Sequence, residues 1–152
     1  MRPSAYASLA PCFVSGERSP VAEVRACLAR FDAVAPKLNA FVHVARETAL
    51  SGAEESERRW LSNAALSAID GMAIGVKDII ETEDMPTGQG SPMWEGFHTR
   101  RDAACVQALR EAGAIILGKT TTTEFAATEP LMPVRNPHDP ARTAGGSSSG
   151  SA

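Results

Sequence analysis

Two stretches of this 152-residue chain carry residue types that do acid–base chemistry. One is Gly75-Val76-Lys77-Asp78, a lysine and a carboxylate at the end of an apolar run. The other is the Gly/Ser tract Gly145-Gly146-Ser147-Ser148-Ser149-Gly150-Ser151-Ala152. A serine hydroxyl is a poor nucleophile until a base takes its proton. A lysine is that base only as a neutral amine, a form favoured by desolvation or by nearby positive charge. Glycines beside the serines let the backbone take positive φ or approach a substrate closely. Lys77 and the serine cluster are therefore a candidate Ser/Lys constellation. Asp78 favours the charged lysine and opposes a basic role unless its carboxylate points away. A Gly/Ser tract is equally at home as a flexible tail. Against a tail stands the turn chemistry just before it, Asn136-Pro137-His138-Asp139-Pro140-Ala141-Arg142, of a kind that usually sits on a folded body.

The elements that must position these residues are readable in part. Residues 1–18 have no clear period. Ser19-Pro20 starts a helix, serine as N-cap and proline at the first helical position, with Val21, Val24, Leu28 and Phe31 on one apolar face and Pro36 past its end. Residues 38–44 are a short strand or a helix lead-in. Residues 45–61 favour helix, with Glu54, Glu55, Glu57, Arg58 and Arg59 on a solvated face. A polar loop over 62–70 precedes a buried strand, Met72 to Val76, that delivers Lys77. The Gly/Pro-punctuated stretch 81–100 is loop, which Trp94 and Phe97 pack on the body, with a cover over the site as the other reading. Asp102 caps a helix over 103–112 with Val106 and Leu109 inward, and Gly113 ends it. Ala114 to Leu117 is a second buried strand, followed by Lys119 as a strand-end surface residue or a second charge near Lys77. Thr121 and Glu124 are spaced as a capping box for a short helix.

Composition sets outer limits. Hydrophobic residues make up 43% and charged residues 22%, ordinary for a globular protein. A net charge of −3 and the lack of a basic run give no reason to propose nucleic acid as a partner. The apolar runs are too short to span a membrane. Cys12, Cys27 and Cys105 are scattered, which suits reduced thiols in a cytoplasmic protein. His43, His98 and His138 lie far apart without ligand spacing, so neither a metal nor any other cofactor is expected.

The ordered pieces also resemble a known family. Gly71-Met72-Ala73-Ile74-Gly75-Val76-Lys77-Asp78, Met85-Pro86-Thr87-Gly88, Asp102-Ala103-Ala104-Cys105-Val106, the run from Ala112 to Thr120, Glu124-Phe125-Ala126, Asn136-Pro137 and the run from Gly145 to Ala152 follow the order and spacing of the amidase signature family. The resemblance implies an α/β fold, a mixed, largely parallel sheet flanked by helices. Residues 1–152 would be a single partial amidase domain, with a helical region over 1–65 and the start of the α/β core over 70–152. It implies hydrolysis of a non-peptide amide carbon–nitrogen bond by a triad of serine, a second serine after a cis peptide bond, and lysine. Matched residue by residue, Lys77 is the lysine and Ser147 the cis serine, after Gly146. Ser148 and Ser149 would brace the loop, with Gly145 and Gly146 as support, and Ser149 is also a candidate for substrate contact. The family's nucleophile and oxyanion hole lie further along than residue 152, so the expectation is a truncated chain, inactive alone. A small-molecule amide is the implied substrate. A homo-oligomer or other amidotransferase subunits remain open as partners.

Two other readings stay beside this one. The Gly/Ser loop is also suited to an anion-binding nest for phosphate or carboxylate, although it lacks the P-loop pattern. The chain also fits a truncated gene remnant.

Overall fold

The computed structural model describes residues 8–127 and 134–152. It is an α/β structure built on a three-stranded mixed sheet, in the order β1-β3-β2. The chain runs α1 (Ala10–Ser15), α2 (Pro20–Leu38), β1 (Phe41–Val44), α3 (Arg46–Leu61), β2 (Ala73–Lys77), α4 (Ala104–Glu111) and β3 (Ile115–Thr120). There are also short 3-10 turns at Pro92–Trp94, Glu124–Ala126 and Ser149–Ser151. β2 pairs parallel with β3, and β1 pairs antiparallel with β3.

α2 begins as its cap residues dictate: Ser19 accepts a hydrogen bond from the Ala22 N–H, and Pro20 is the first helical residue. The helix does not stop before Pro36 but runs through it to Leu38. A proline near a helix C-terminus costs one backbone bond, and the real stop is Asn39 in the left-handed conformation, its N–H closing on Ala35 O. α1 gave no periodic signal because it is six residues long, yet it buries Phe13 against the Trp60 ring, 5.8 Å between centroids.

Two apolar clusters cover the two faces of the sheet. Val21, Val24, Leu28, Ala49 and Ala53 of α2 and α3 meet Ile115 and Leu117 on one face. Val76, Met85, Val106 and Ile116 pack on the other. Each fully buried aliphatic side chain contributes about 1.5–3 kcal/mol. Alternation along β3 is interrupted once. Ile74 pairs with Ile116 and Gly75 with Gly118, so Leu117 is an extra residue, a β-bulge.

The loop 62–72 is pinned by Asp70, 1% exposed. Arg59 grips its carboxylate with two hydrogen bonds, at 2.8 and 2.6 Å, and Leu66 N–H donates to it at 2.9 Å. Burial alone would raise this carboxyl, but the Arg59 and Leu66 hydrogen bonds hold it below the usual range. Gly113, at φ 89°, passes so close that a Cβ there would stand 2.6 Å from Asp70 Oδ1.

Asp102 does not cap α4. Ala103 holds the N-cap position, and Asp102 instead accepts from Glu83 N–H at 2.7 Å and from Arg110 Nε at 2.9 Å. That carboxylate is thereby tied to the charged Arg110 rather than to a helix N–H.

Candidate active site

β2 ends at Lys77, and its side chain reaches the far C-terminal loop. Lys77 Nζ lies 2.7 Å from Ser147 Oγ. The Gly146–Ser147 peptide bond is cis. Gly145 sits at φ 89°, a conformation that suits glycine.

The loop that carries Ser147 is fastened to the end of β3. Ser147 O accepts from Thr123 N–H and from Thr122 Oγ1, both at 3.1 Å. Gly150 N–H donates to Thr121 O at 2.8 Å, and Thr120 Oγ1 and Ser151 Oγ share a hydrogen bond at 3.0 Å. Thr121 Oγ1 donates to Asn39 O at 2.6 Å, tying the same segment to the end of α2. Gly150 packs directly on Ala40 O and Thr121 N, which leaves no room for a side chain. Ser148 is exposed and takes part through its carbonyl, which accepts from Ser151 N–H at 3.0 Å. Ser149 is 1% exposed, with its Oγ unpaired among the described residues. The bracing expected of the 148 and 149 hydroxyls therefore falls to backbone bonds and to the Ser151 side chain.

The threonines do not form the expected capping box. Glu124–Ala126 is a single 3-10 turn with Thr123 at its N-cap position and no side-chain cap. Glu124 accepts from Ser91 Oγ at 2.8 Å, and Phe125 N–H donates to Gln89 O at 2.9 Å. Phe125 and Ala126 both have positive φ, at 49° and 57°, so the chain turns back before a helix can propagate.

Lys119 is neither a surface residue nor a neighbour of Ser147. It is 0% exposed, with Nζ 3.0 Å from Pro86 O, 2.7 Å from Thr87 Oγ1 and 3.2 Å from Asp78 Oδ1. The bulge at Leu117 places it in register with Val76, on the sheet face where Val76 points. Lys77 alternates to the opposite face. Asp78 thus points away from Lys77, the condition the sequence left open. Its Oδ2 accepts from Gly88 N–H at 3.2 Å. Asp78 Oδ1 is close enough to Lys119 to attract it as a charge but is not aligned for a hydrogen bond. Burial pushes Asp78 up and Lys119 down, and each charge opposes the shift of the other.

A cleft of about 600 Å³ opens beside this second lysine, lined by His43, Asp78, Gly88, Ser91, Thr121 and Thr122 among others. Neither Lys77 nor Ser147 lines it. Trp94 and Phe97 meet edge-on at 4.4 Å and pack the 86–97 loop, as their place in the sequence suggests. Among the described residues no three His, Cys, Asp or Glu side chains converge as metal ligands, and no helix is long and apolar enough to cross a membrane.

Sequence reasoning missed the Thr120–Thr123 run as a holder of Ser147. The available signal was four consecutive β-branched hydroxyls following a buried strand, which offers both backbone and side-chain donors at one sheet end.

A parallel strand pair ending in a lysine that meets a serine after a cis peptide is an arrangement suited to proton transfer. Residues 22–152 match the amidase family, and the chain belongs to it. It is 42% identical over 149 residues to a glutamyl-tRNA(Gln) amidotransferase subunit of Myxococcus xanthus, covering 95% of this chain and 31% of that protein. The structure superposes on the native peptide amidase of Stenotrophomonas maltophilia with a TM-score of 0.86 at 30% identity, over 94% of this chain and 32% of that one. It also superposes, at TM-score 0.87 and 34% identity, on a chain of a vestigial complex connected with the origins of an s-triazine catabolic enzyme, over 94% of this chain and 33% of that one. The chain thus spans about three-tenths of the length of the curated relatives it matches.

Proposed function

We propose that this chain supplies the proton-handling part of an amide hydrolase, with Lys77 and Ser147 as its catalytic residues. The observation that carries the reading is the 2.7 Å contact between Lys77 Nζ and Ser147 Oγ. With the amine neutral, the same contact runs with the hydroxyl donating. Ser147 then relays a proton from a nucleophilic serine to Lys77 as the nucleophile attacks an amide carbonyl. The relay in reverse protonates the leaving amine. Asp78 is turned onto Lys119 and Gly88 on the other face, away from that amine. Gly145 and Gly146 give the loop its path, Ser148 supports it through its carbonyl, and buried Ser149 packs within it without taking part in the transfer. Neither a metal nor another cofactor has a role in this scheme.

The nucleophile and the oxyanion donors are proposed to come from outside these 152 residues, which the roughly 30% coverage of the relatives supports. The substrate class is a small amide. The relatives named as amidotransferase subunits support a setting with partner chains.

The test is a fusion. Alone, the 152-residue chain should not hydrolyse a primary amide. Joined after Ala152 to the remainder of the Myxococcus xanthus relative, it should, and Lys77→Ala or Ser147→Ala should each lower kcat at least about 10²-fold. Full turnover by the Lys77→Ala fusion would overturn the relay. Hydrolysis by the unfused chain that Lys77→Ala abolishes would overturn the external nucleophile.

A further inference from the structure

We propose that buried Lys119 is a positioning residue for the Lys77–Ser147 pair, acting from the opposite face of the sheet. The proposal rests on the reading of that pair as the proton relay and names the group that holds both its members in place.

The observations form two continuous paths from one ammonium group. Lys119 Nζ binds Pro86 O and Thr87 Oγ1, which fixes the turn at 86–89 against β3. That turn then closes on Asp78 through two bonds, Gly88 N–H to Asp78 Oδ2 at 3.2 Å and Gln89 N–H to Asp78 O at 2.9 Å. Asp78 is covalently next to Lys77, and its own N–H donates to Thr120 O at 2.9 Å. The first path therefore sets where the end of β2, and Lys77 with it, lies on β3.

The second path leaves the same turn in the other direction. Gln89 O accepts from Phe125 N–H, and Ser91 Oγ donates to Glu124. These bonds hold the 124–126 turn, and the residues before it, Thr122 and Thr123, donate to Ser147 O. One turn thus connects to both ends of the Lys77–Ser147 contact, and Lys119 is its internal anchor. A lysine with no exposed surface and three polar partners is costly to bury unless each partner is placed. That is the property wanted of a peg that must sit in one position.

The chain's own lysines provide the test. Lys37 is exposed, Lys77 is half-buried and Lys119 is buried. Competitive acetylation with limiting reagent, followed by peptide mapping, gives the labelling rate of Lys77 relative to Lys37 in the same sample. Lys119→Met keeps much of the length of the side chain and removes its donors. If Lys119 positions the pair, the Lys77/Lys37 ratio rises about tenfold, the change expected when one charge-assisted hydrogen bond is lost. Val106→Ala, a core change on the same face, lowers the melting temperature and leaves the ratio where it was. Should Lys119→Met fail to fold, Thr87→Val removes a single partner of Lys119 and should raise the ratio about threefold. An unchanged ratio in a folded Lys119→Met or Thr87→Val protein, with a fall in melting temperature like that of Val106→Ala, overturns the proposal. The ratio reads how free and accessible the Lys77 amine is, and it does not depend on turnover. It moves or stays whether or not the fusion enzyme hydrolyses an amide, so failure of the relay and failure of the peg are told apart.

Discussion

The two faces at the end of the sheet place one residue type in opposite surroundings. On one face Lys77 leaves β2 half-buried and meets the hydroxyl of Ser147. On the other, Lys119 of the neighbouring strand is enclosed by Pro86 O, Thr87 Oγ1 and the carboxylate of Asp78. A lysine that must exchange a proton needs few partners and an accessible nitrogen. A lysine that must hold a loop needs many partners and no water. The difference comes from surroundings rather than from the side chain, and strand alternation separates the two settings by a few ångströms of backbone.

The comparison breaks most visibly on stability. Lys119→Ala leaves Asp78 buried and unpaired and should cost about 3–5 kcal/mol in urea unfolding. Lys77→Ala, which strands no buried charge, should cost less than about 1 kcal/mol in the same measurement. Equal losses would show that the two lysines do not differ in this way.

Gly150→Ala tests the side of Ser147. A methyl group there has to displace Ala40 O and Thr121 N, which are backbone and cannot swing aside. Destabilisation of about 1–3 kcal/mol is expected from such overpacking. Hydrogen exchange should show the loss of protection concentrated at Thr123 and Gly150 N–H, with the amides of β2 and α4 little changed.

The double variant Asp78→Asn, Lys119→Met sharpens the other side. Removing both charges together should bring stability back to within about 1 kcal/mol of the parent, because neither is left buried alone. A cycle of unfolding free energies on the four proteins reads the coupling directly.

The smallest effect is in pH dependence, where the two buried carboxylates Asp70 and Asp78 should differ in sign. Asp70 is held low despite its burial, through Arg59 and Leu66. Its contribution is present above the ordinary carboxylate value of about 4 and is lost as pH falls through the depressed folded value, so Asp70→Asn should flatten the acid limb of stability against pH. Asp78 is raised by burial in spite of Lys119. The stability it contributes is present below the ordinary carboxylate value and lost as pH rises through the raised folded value, so Asp78→Asn should remove that loss. Urea midpoints measured from acid to neutral pH separate the two.

Much of this arrangement is written in local sequence. Ser19-Pro20 starts α2, the apolar run before Lys77 is a strand, although only Val76 of it is buried, Gly113 ends α4, and the ordered motifs bring a lysine and a serine cluster together. These signals are local or carried by a family pattern. The features that were not legible depend on choices between partners. Asp102 lies one residue before the N-cap, and its carboxylate is taken by Glu83 N–H and the Arg110 guanidinium. Thr121 and Glu124 had each other in sequence, but found Asn39 O and Ser91 Oγ in space. Pro36 has the look of a stop and is an interior residue of the last turns, because Asn39 supplies a better one. Lys119 has the look of a strand end because the apolar run stops at Leu117. The strand itself continues to Thr120, and all six of its residues are buried.

What lies beyond Leu117 takes its direction from the extra residue in β3. Were the same six residues laid out in even alternation, the side chain at 119 would fall on the side of Ile115, and the one at 120 on the side of Val76. A methyl-bearing hydroxyl would then stand where the peg is, and a second amine would crowd the first at the serine loop. Excising Leu117 altogether would do the reverse, closing the ladder with both lysines on their present sides. Smoothing a kink without losing a single residue is thus enough to move an amine from one side of the sheet to the other, which makes the shape of one strand as consequential to this protein as the identity of any side chain on it.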